Sequence, residues 1–65
     1  MKLLGYTFTE MTAQEWEIYR GAEPHTLICH LDDRDLLYNP ASGVLSEVMF
    51  DQSGSMVQRD WIRHI

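Results

Sequence analysis

What this chain has little of narrows its possibilities first. It contains one cysteine, Cys29, which cannot close an intramolecular disulfide, and no Cys/His cluster has zinc spacing, so the usual staples of a small domain are missing. The four glycines, Gly5, Gly21, Gly43 and Gly54, stand apart from one another; no phosphate cradle, Walker pattern or dinucleotide fingerprint can be built from them. No apolar run approaches the roughly 18 residues that a membrane span needs. The Lys-Leu-Leu-Gly stretch from Lys2 is too brief for a signal peptide, and a cytoplasmic protein is expected. Positive charge is scarce as well: five Lys plus Arg stand against ten Asp plus Glu, a net charge of −5. A surface of that balance does not neutralise phosphates, so direct binding to DNA or RNA is not expected.

What is present reads as one small folded domain over residues 1–65. At 45% hydrophobic the chain lies well above the composition of disordered segments. A domain of about 60 residues buries only about 60% of the surface its unfolded chain exposes, so the core must be thin.

From Lys2 to Phe8, Leu4, Tyr6 and Phe8 alternate with Leu3, Gly5 and Thr7, the period of a strand with one large apolar face. Thr12-Ala13-Gln14-Glu15 then spells a capping box, and Met11 and Trp16 occupy the two positions of a hydrophobic staple. A short helix is expected from Ala13 to about Arg20, with Gly21 as a left-handed C-terminal cap and Pro24 preventing continuation.

Beyond Pro24 the turn signals recur every 8 to 12 residues, as in an antiparallel meander. His25 to Leu31 reads as a central strand with apolar residues on both faces, Asp32-Asp33-Arg34 as a turn, and Asp35 to Tyr38 as a short strand. Asn39 to Gly43 is a loop. Val44 to Phe50 is a strand with Val44, Val48 and Phe50 on one face and Leu45 and Met49 on the other; Asp51 to Gly54 closes a hairpin. The last segment is expected to be a strand from Ser55 to about Trp61, with Trp61 in the core and a frayed end. The fold class is α+β: one short helix packed on a four- to five-stranded antiparallel sheet in β-α-β-β-β-β order.

Few constellations carry chemistry. Cys29 and His30 are neighbours, but in a strand their side chains point to opposite faces. His25 and Cys29 share a face yet lie about 13 Å apart, too far to hold one metal ion. Cys29 is better read as a small buried hydrophobe and the histidines as rim residues. Asp51-Gln52-Ser53-Gly54-Ser55 resembles the opening of a calcium loop, but Met56 stands where that loop needs glycine and Ile62 where it needs a bidentate Glu. Arg59 and Arg63 around Trp61 are the only basic and aromatic interleaving. No metal, cofactor or catalytic residue is expected, and a chain this short has little room for an enclosed substrate pocket.

The charge is unevenly placed. Between Glu10 and Asp35 lie seven acids (Glu10, Glu15, Glu17, Glu23, Asp32, Asp33 and Asp35) and two bases, Arg20 and Arg34. That segment holds the whole net charge, and the rest of the chain is neutral. If the seven acids form one patch, it attracts and steers a basic partner. The expected partner is a protein or complex that itself holds nucleic acid, with carboxylates occupying the places of phosphates. Small acidic domains, often phage-encoded, act in this way among anti-CRISPR and anti-restriction proteins, which makes the expectation an analogy of class. The alternative starts from two Trp, three Tyr, two Phe and four Met, more than a thin core can bury. On that reading the protein is an accessory or assembly module that pairs through an edge strand, as a homodimer or with a partner's sheet.

Overall fold

The computed structural model describes residues 1–50 and 52–62, with side chains described through residue 57 apart from that of residue 51. Seven strands and one helix are found among these residues: β1 (Lys2–Leu3), β2 (Tyr6–Thr7), β3 (Thr9–Glu10), α1 (Ala13–Ile18), β4 (Leu27–His30), β5 (Asp35–Asn39), β6 (Val44–Phe50) and β7 (Met56–Ile62). β3 to β7 form one antiparallel sheet in sequential order, while β1 and β2 pair separately as a small hairpin. Mostly sheet with one short helix, the molecule is compatible with the α+β class, although the expected strand count and order hold only approximately. No helix among the described residues is long and apolar enough to cross a membrane.

The sheet has two apolar faces, and its register shows why. Ile28, Leu37 and Ser46 stand in line across β4, β5 and β6, and Cys29, Leu36 and Glu47 form the next line on the opposite face. On one side Ile28, Leu37 and Val48 pack with Met11 and Tyr19, and half-buried Trp16 and Ala22 close around them. On the other side Leu36, Tyr38 and Leu45 pack with Phe8, flanked by Leu3, Tyr6, Leu27, Cys29 and Leu31. Helix α1 therefore covers one face and the N-terminal hairpin the other. Phe8 lies against Tyr38 with ring centroids 5.9 Å apart and planes tilted by 52°, an arrangement that suits the aromatic quadrupoles.

The expected single strand from Lys2 to Phe8 is thus broken in two. Leu4 and Gly5 both take positive φ, 53° and 84°, which is the mark of a type I′ turn. This turn folds Leu3 back onto Tyr6. The period-2 pattern is a true sign of extended chain but is silent about a two-residue reversal within it. Backbone bonds from Met1 N to Phe8 O and from Phe8 N to Met1 O hold the flap closed at 2.9 and 2.6 Å.

The helix begins where its cap predicts. Thr12 Oγ1 accepts the Glu15 amide at 3.2 Å and Glu15 Oε1 accepts the Thr12 amide at 2.8 Å, satisfying two of the otherwise orphan donors of the first turn. It ends two residues early, with Tyr19 as C-cap at φ −108°. Gly21 is not the left-handed residue expected there. The positive φ falls on His25 instead, at 70°, so His25 makes the turn into β4 and the strand starts at Leu27. Histidine is among the residues that tolerate this conformation.

Later elements follow the turn signals closely. Asn39 extends β5 by one residue and is almost fully buried. Its Oδ1 accepts the amides of Ala41 and Ser42, and its Nδ2 donates to Glu23 Oε2 and the Pro24 carbonyl, both at 3.2 Å. The β5–β6 loop is thereby tied to the chain that leaves the helix. β6 has its expected bounds, with Val48 in the helix-side core and Leu45 in the hairpin-side core. β7 reaches Ile62, one residue past the expected end. Residue 51 of the hairpin turn, the core position expected for the Trp61 side chain, Arg63, His64 and the frayed end lie outside the described residues.

Leu4 is 58% exposed and holds a left-handed conformation that costs an L residue roughly 1–2 kcal/mol. Leu4→Asn, which restores the Asn-Gly pair favoured in type I′ turns, is expected to raise the melting temperature by a few degrees. An unchanged or lower value in a thermal scan would show that this turn does not limit stability.

Candidate functional site

The seven acids do not all converge. The register that sets His30 opposite Asp35 places Asp32, Asp33 and Asp35 at the β4–β5 end of the sheet. Glu15, in the first turn of α1, reaches the same end through His30. Glu23 is bonded to Asn39 at the opposite end of β5. Glu10 pairs with Leu27 on the short edge strand, away from His30, and Glu17 is exposed on the helix.

At the convergent end lies a network that charge counting alone does not reveal. His30 Nδ1 bonds to Asp35 Oδ1 at 2.7 Å and its Nε2 bonds to Glu15 Oε2. The other oxygen of Asp35 accepts the Tyr19 hydroxyl at 2.5 Å. An imidazole between two carboxylates is favoured in its charged form, because only imidazolium donates from both nitrogens. Accordingly the bond to Asp35, followed by that to Glu15, holds the His30 pKa above its ordinary 6.5. The Glu15 carboxyl is held below its ordinary 4.5, first by the Thr12 backbone amide and then by His30. Burial, reinforced by Asp35, pushes the Tyr19 phenol well above 10.

The network has a mechanical meaning. Glu15 caps the helix with one oxygen and holds His30 with the other, while Asp35 joins His30 to Tyr19. Helix and sheet are thereby fastened together through four polar side chains. With both ring nitrogens taken by carboxylates, His30 has no lone pair left to ligate a metal or act as a general base in this arrangement. Among the described residues no three His, Cys, Asp or Glu side chains are placed to hold a metal ion.

A second charged group lies on the hairpin side of the same turn. Arg34 bonds to both carboxylate oxygens of Asp33, at 3.1 Å from Nε and 2.8 Å from Nη2, and its Nη1 bonds to Glu47. The Arg34 bond holds the Asp33 carboxyl below its ordinary range. Glu47 is only 3% exposed, so the guanidinium compensates a carboxylate taken out of water. Among the described residues no hydrogen bond or ion pair engages the side chains of Glu10, Glu17 or Asp32.

Sequence reasoning missed His30, Tyr19, Asn39 and Glu47. His30 was the most accessible of these: a turn over Asp32-Asp33-Arg34 sets residues 30 and 35 side by side across a hairpin. Cys29 is half-buried among apolar neighbours.

Two hollows open to solvent border the helix. The larger, about 460 Å³, lies where α1 leaves the sheet uncovered. The smaller, about 340 Å³, is lined by Glu10, Trp16, His25 and Pro40 among others. Comparisons with protein-family models, with curated proteins and with solved structures find no match for the chain.

The pKa directions fix how stability depends on pH. His30, raised when folded, contributes fully below pH 6.5 and loses its contribution as pH rises through the elevated value; Glu15, depressed when folded, contributes fully above pH 4.5 and loses it as pH falls through the lowered value. The clamp is therefore complete between about pH 4.5 and 6.5. The melting temperature is expected to peak in that window and to fall on the alkaline side, and His30→Gln should flatten the alkaline fall. A wild-type profile that rises from pH 6.5 to 8.5 would contradict the assignment.

Proposed function

We propose that this protein is a non-enzymatic binding protein whose acidic surface engages a basic partner, a protein or complex that itself binds nucleic acid, and inhibits it by occupying that surface. The observation that carries the reading is the gathering of Glu15, Asp32, Asp33 and Asp35 at one end of a molecule whose net charge is −5. Carboxylates gathered at one folded end supply the sign of charge that a phosphate-binding groove attracts. Inhibitors of the anti-CRISPR and anti-restriction type use this chemistry, and the proposal assigns the chain to that functional class.

The four converging acids do not contribute alike. Glu15 and Asp35 share His30, and Asp33 shares Arg34, so part of their charge is neutralised internally. Asp32, and beyond this end Glu10 and Glu17, present carboxylates with no such internal partner among the described residues. A partner recognised by charge meets these first.

Asp32→Lys combined with Glu17→Lys removes two acids and adds two bases without touching the His30 clamp or the Arg34 pair. Partner capture from host lysate is expected to fall at least tenfold for this variant. For the wild type it should weaken steeply between about 50 and 300 mM salt, as exposed charges are screened, and be released by added DNA. Capture that is insensitive to both the substitutions and salt would overturn the reading.

A second reading has its own observation. β7 is seven residues long and, within the described residues, pairs only with β6, leaving a long open edge on which another strand can add. The protein is then an assembly module, and sedimentation at micromolar concentration is expected to show a dimer with little salt dependence. A monomer throughout the accessible range would remove this form of it.

A further inference from the structure

The helix is too short for the sheet beneath it. Six residues span about 9 Å, whereas the seven of β6 span about 23 Å. α1 packs over Ile28, Leu37 and Val48 without filling the space beside them, and a hollow of about 460 Å³ opens between the end of the helix and the sheet, bordered by Ile18, Ala22, Glu23 and Val44. Its volume lies within the range of about 300–1,000 Å³ typical of binding pockets.

The lining of this groove is selective. Tyr19 and Leu37, 5% and 6% exposed, form its floor, half-buried Val44 lies beside them, and Ile18 and Met56, 55% and 42% exposed, stand at its margin. Phe50, 53% exposed, lies directly across from Met56 in the β6–β7 register. Ile18 and Met56 thus leave apolar surface in water beside the groove. Among the described residues that line the groove Glu23 alone is charged. Its position is set from two directions: its backbone carbonyl accepts the Thr26 hydroxyl at 2.7 Å, and its carboxylate accepts the Asn39 amide at 3.2 Å. That leaves carboxylate lone pairs for a further donor.

We propose that this groove docks a short peptide segment of a protein partner that presents aliphatic side chains next to one Arg or Lys, the aliphatic groups resting on Ile18, Val44 and Met56 and the cation bonding Glu23. Charge complementarity selects this occupant. Among its described lining residues the groove bears one charged group, and that group is negative; the molecule around it is acidic by five charges, and an anionic segment would set like charge against the Glu23 carboxylate. The contact rests on the reading of the protein as a binder of basic partners and adds a second surface, distinct from the β4–β5 end.

The test uses fluorescein-labelled acetyl-Gly-Leu-Arg-Leu-Gly-amide and its Glu counterpart, acetyl-Gly-Leu-Glu-Leu-Gly-amide, titrated against the full chain by anisotropy, with methyl chemical shifts followed in parallel. The Arg peptide is expected to bind saturably and to move the methyl signals of Ile18, Leu37, Val44 and Met56, while the Glu peptide binds at least tenfold more weakly. Glu23→Gln keeps an acceptor for Asn39 but removes the charge, and should weaken the Arg peptide at least fivefold. Ile18→Ser, at an exposed position outside the core clusters, should weaken both peptides. Absence of saturable binding, equal binding of the two peptides, or shifts confined to the hairpin side of the sheet would overturn the proposal. So would concentration-dependent shifts of the same methyls without peptide, which would make a second copy of the chain the occupant. If Asp32→Lys with Glu17→Lys abolishes Arg-peptide binding while Glu23→Gln leaves it intact, the groove assignment fails and the acidic-end reading stands; the converse pattern upholds the groove and removes the acidic end from peptide recognition.

Discussion

A sheet with two apolar faces must be covered twice, and this chain has only a six-residue helix and a two-residue-stranded hairpin with which to do it. Much of the architecture follows from that shortage. Apolar residues at successive positions such as Leu36, Leu37 and Tyr38 put side chains on both faces of β5, and all three are buried. The N-terminal segment cannot then serve wholly as another sheet strand. It turns at Leu4 and Gly5 and lies across the face that the helix cannot reach. The core is divided into two thin layers, one shielding each face of the sheet.

Charge performs a task that packing leaves undone. Helix α1 buries none of its own residues completely, and its attachment relies on Met11 before it, Tyr19 after it and the polar chain from Glu15 through His30 and Asp35 to Tyr19. A composition weighted toward acids is thus partly structural. Two carboxylates brace the imidazole that fastens helix to sheet, and a third, Glu47, is buried with Arg34. The acids most directly available to a partner are those the fold does not employ, and they are fewer than the composition suggests.

Local signals were legible where one short stretch determines the geometry. Thr12 to Glu15 spells a cap that needs no tertiary help, and Asn39 to Gly43 spells a turn that closes on its own side chain. β6 could be read to the residue because its apolar positions alternate between two real cores. What could not be read depended on encounters distant in sequence. Leu4 enters a conformation that its side chain disfavours because Leu3 and Tyr6 gain a face to cover, and no local preference announces this. Gly21 offered a left-handed cap that the chain did not use, because the reversal was completed by Tyr19 and His25. The acidic segment is legible as a segment, but its division between the two ends of β5 depends on Glu23 lying beside Asn39 and Glu15 beside His30.

The two borders of the five-stranded sheet are unequal. β3 is two residues long and leads at once into the helix, whereas β7 is seven residues long. Growth by strand addition is therefore self-limiting. Among the described residues, two copies joined along β7 would leave only the stunted β3 margin at either extremity of the five-stranded sheets, too short to template another molecule. For a protein with so many apolar groups near water, the brevity of one strand is a safeguard against fibrous aggregation.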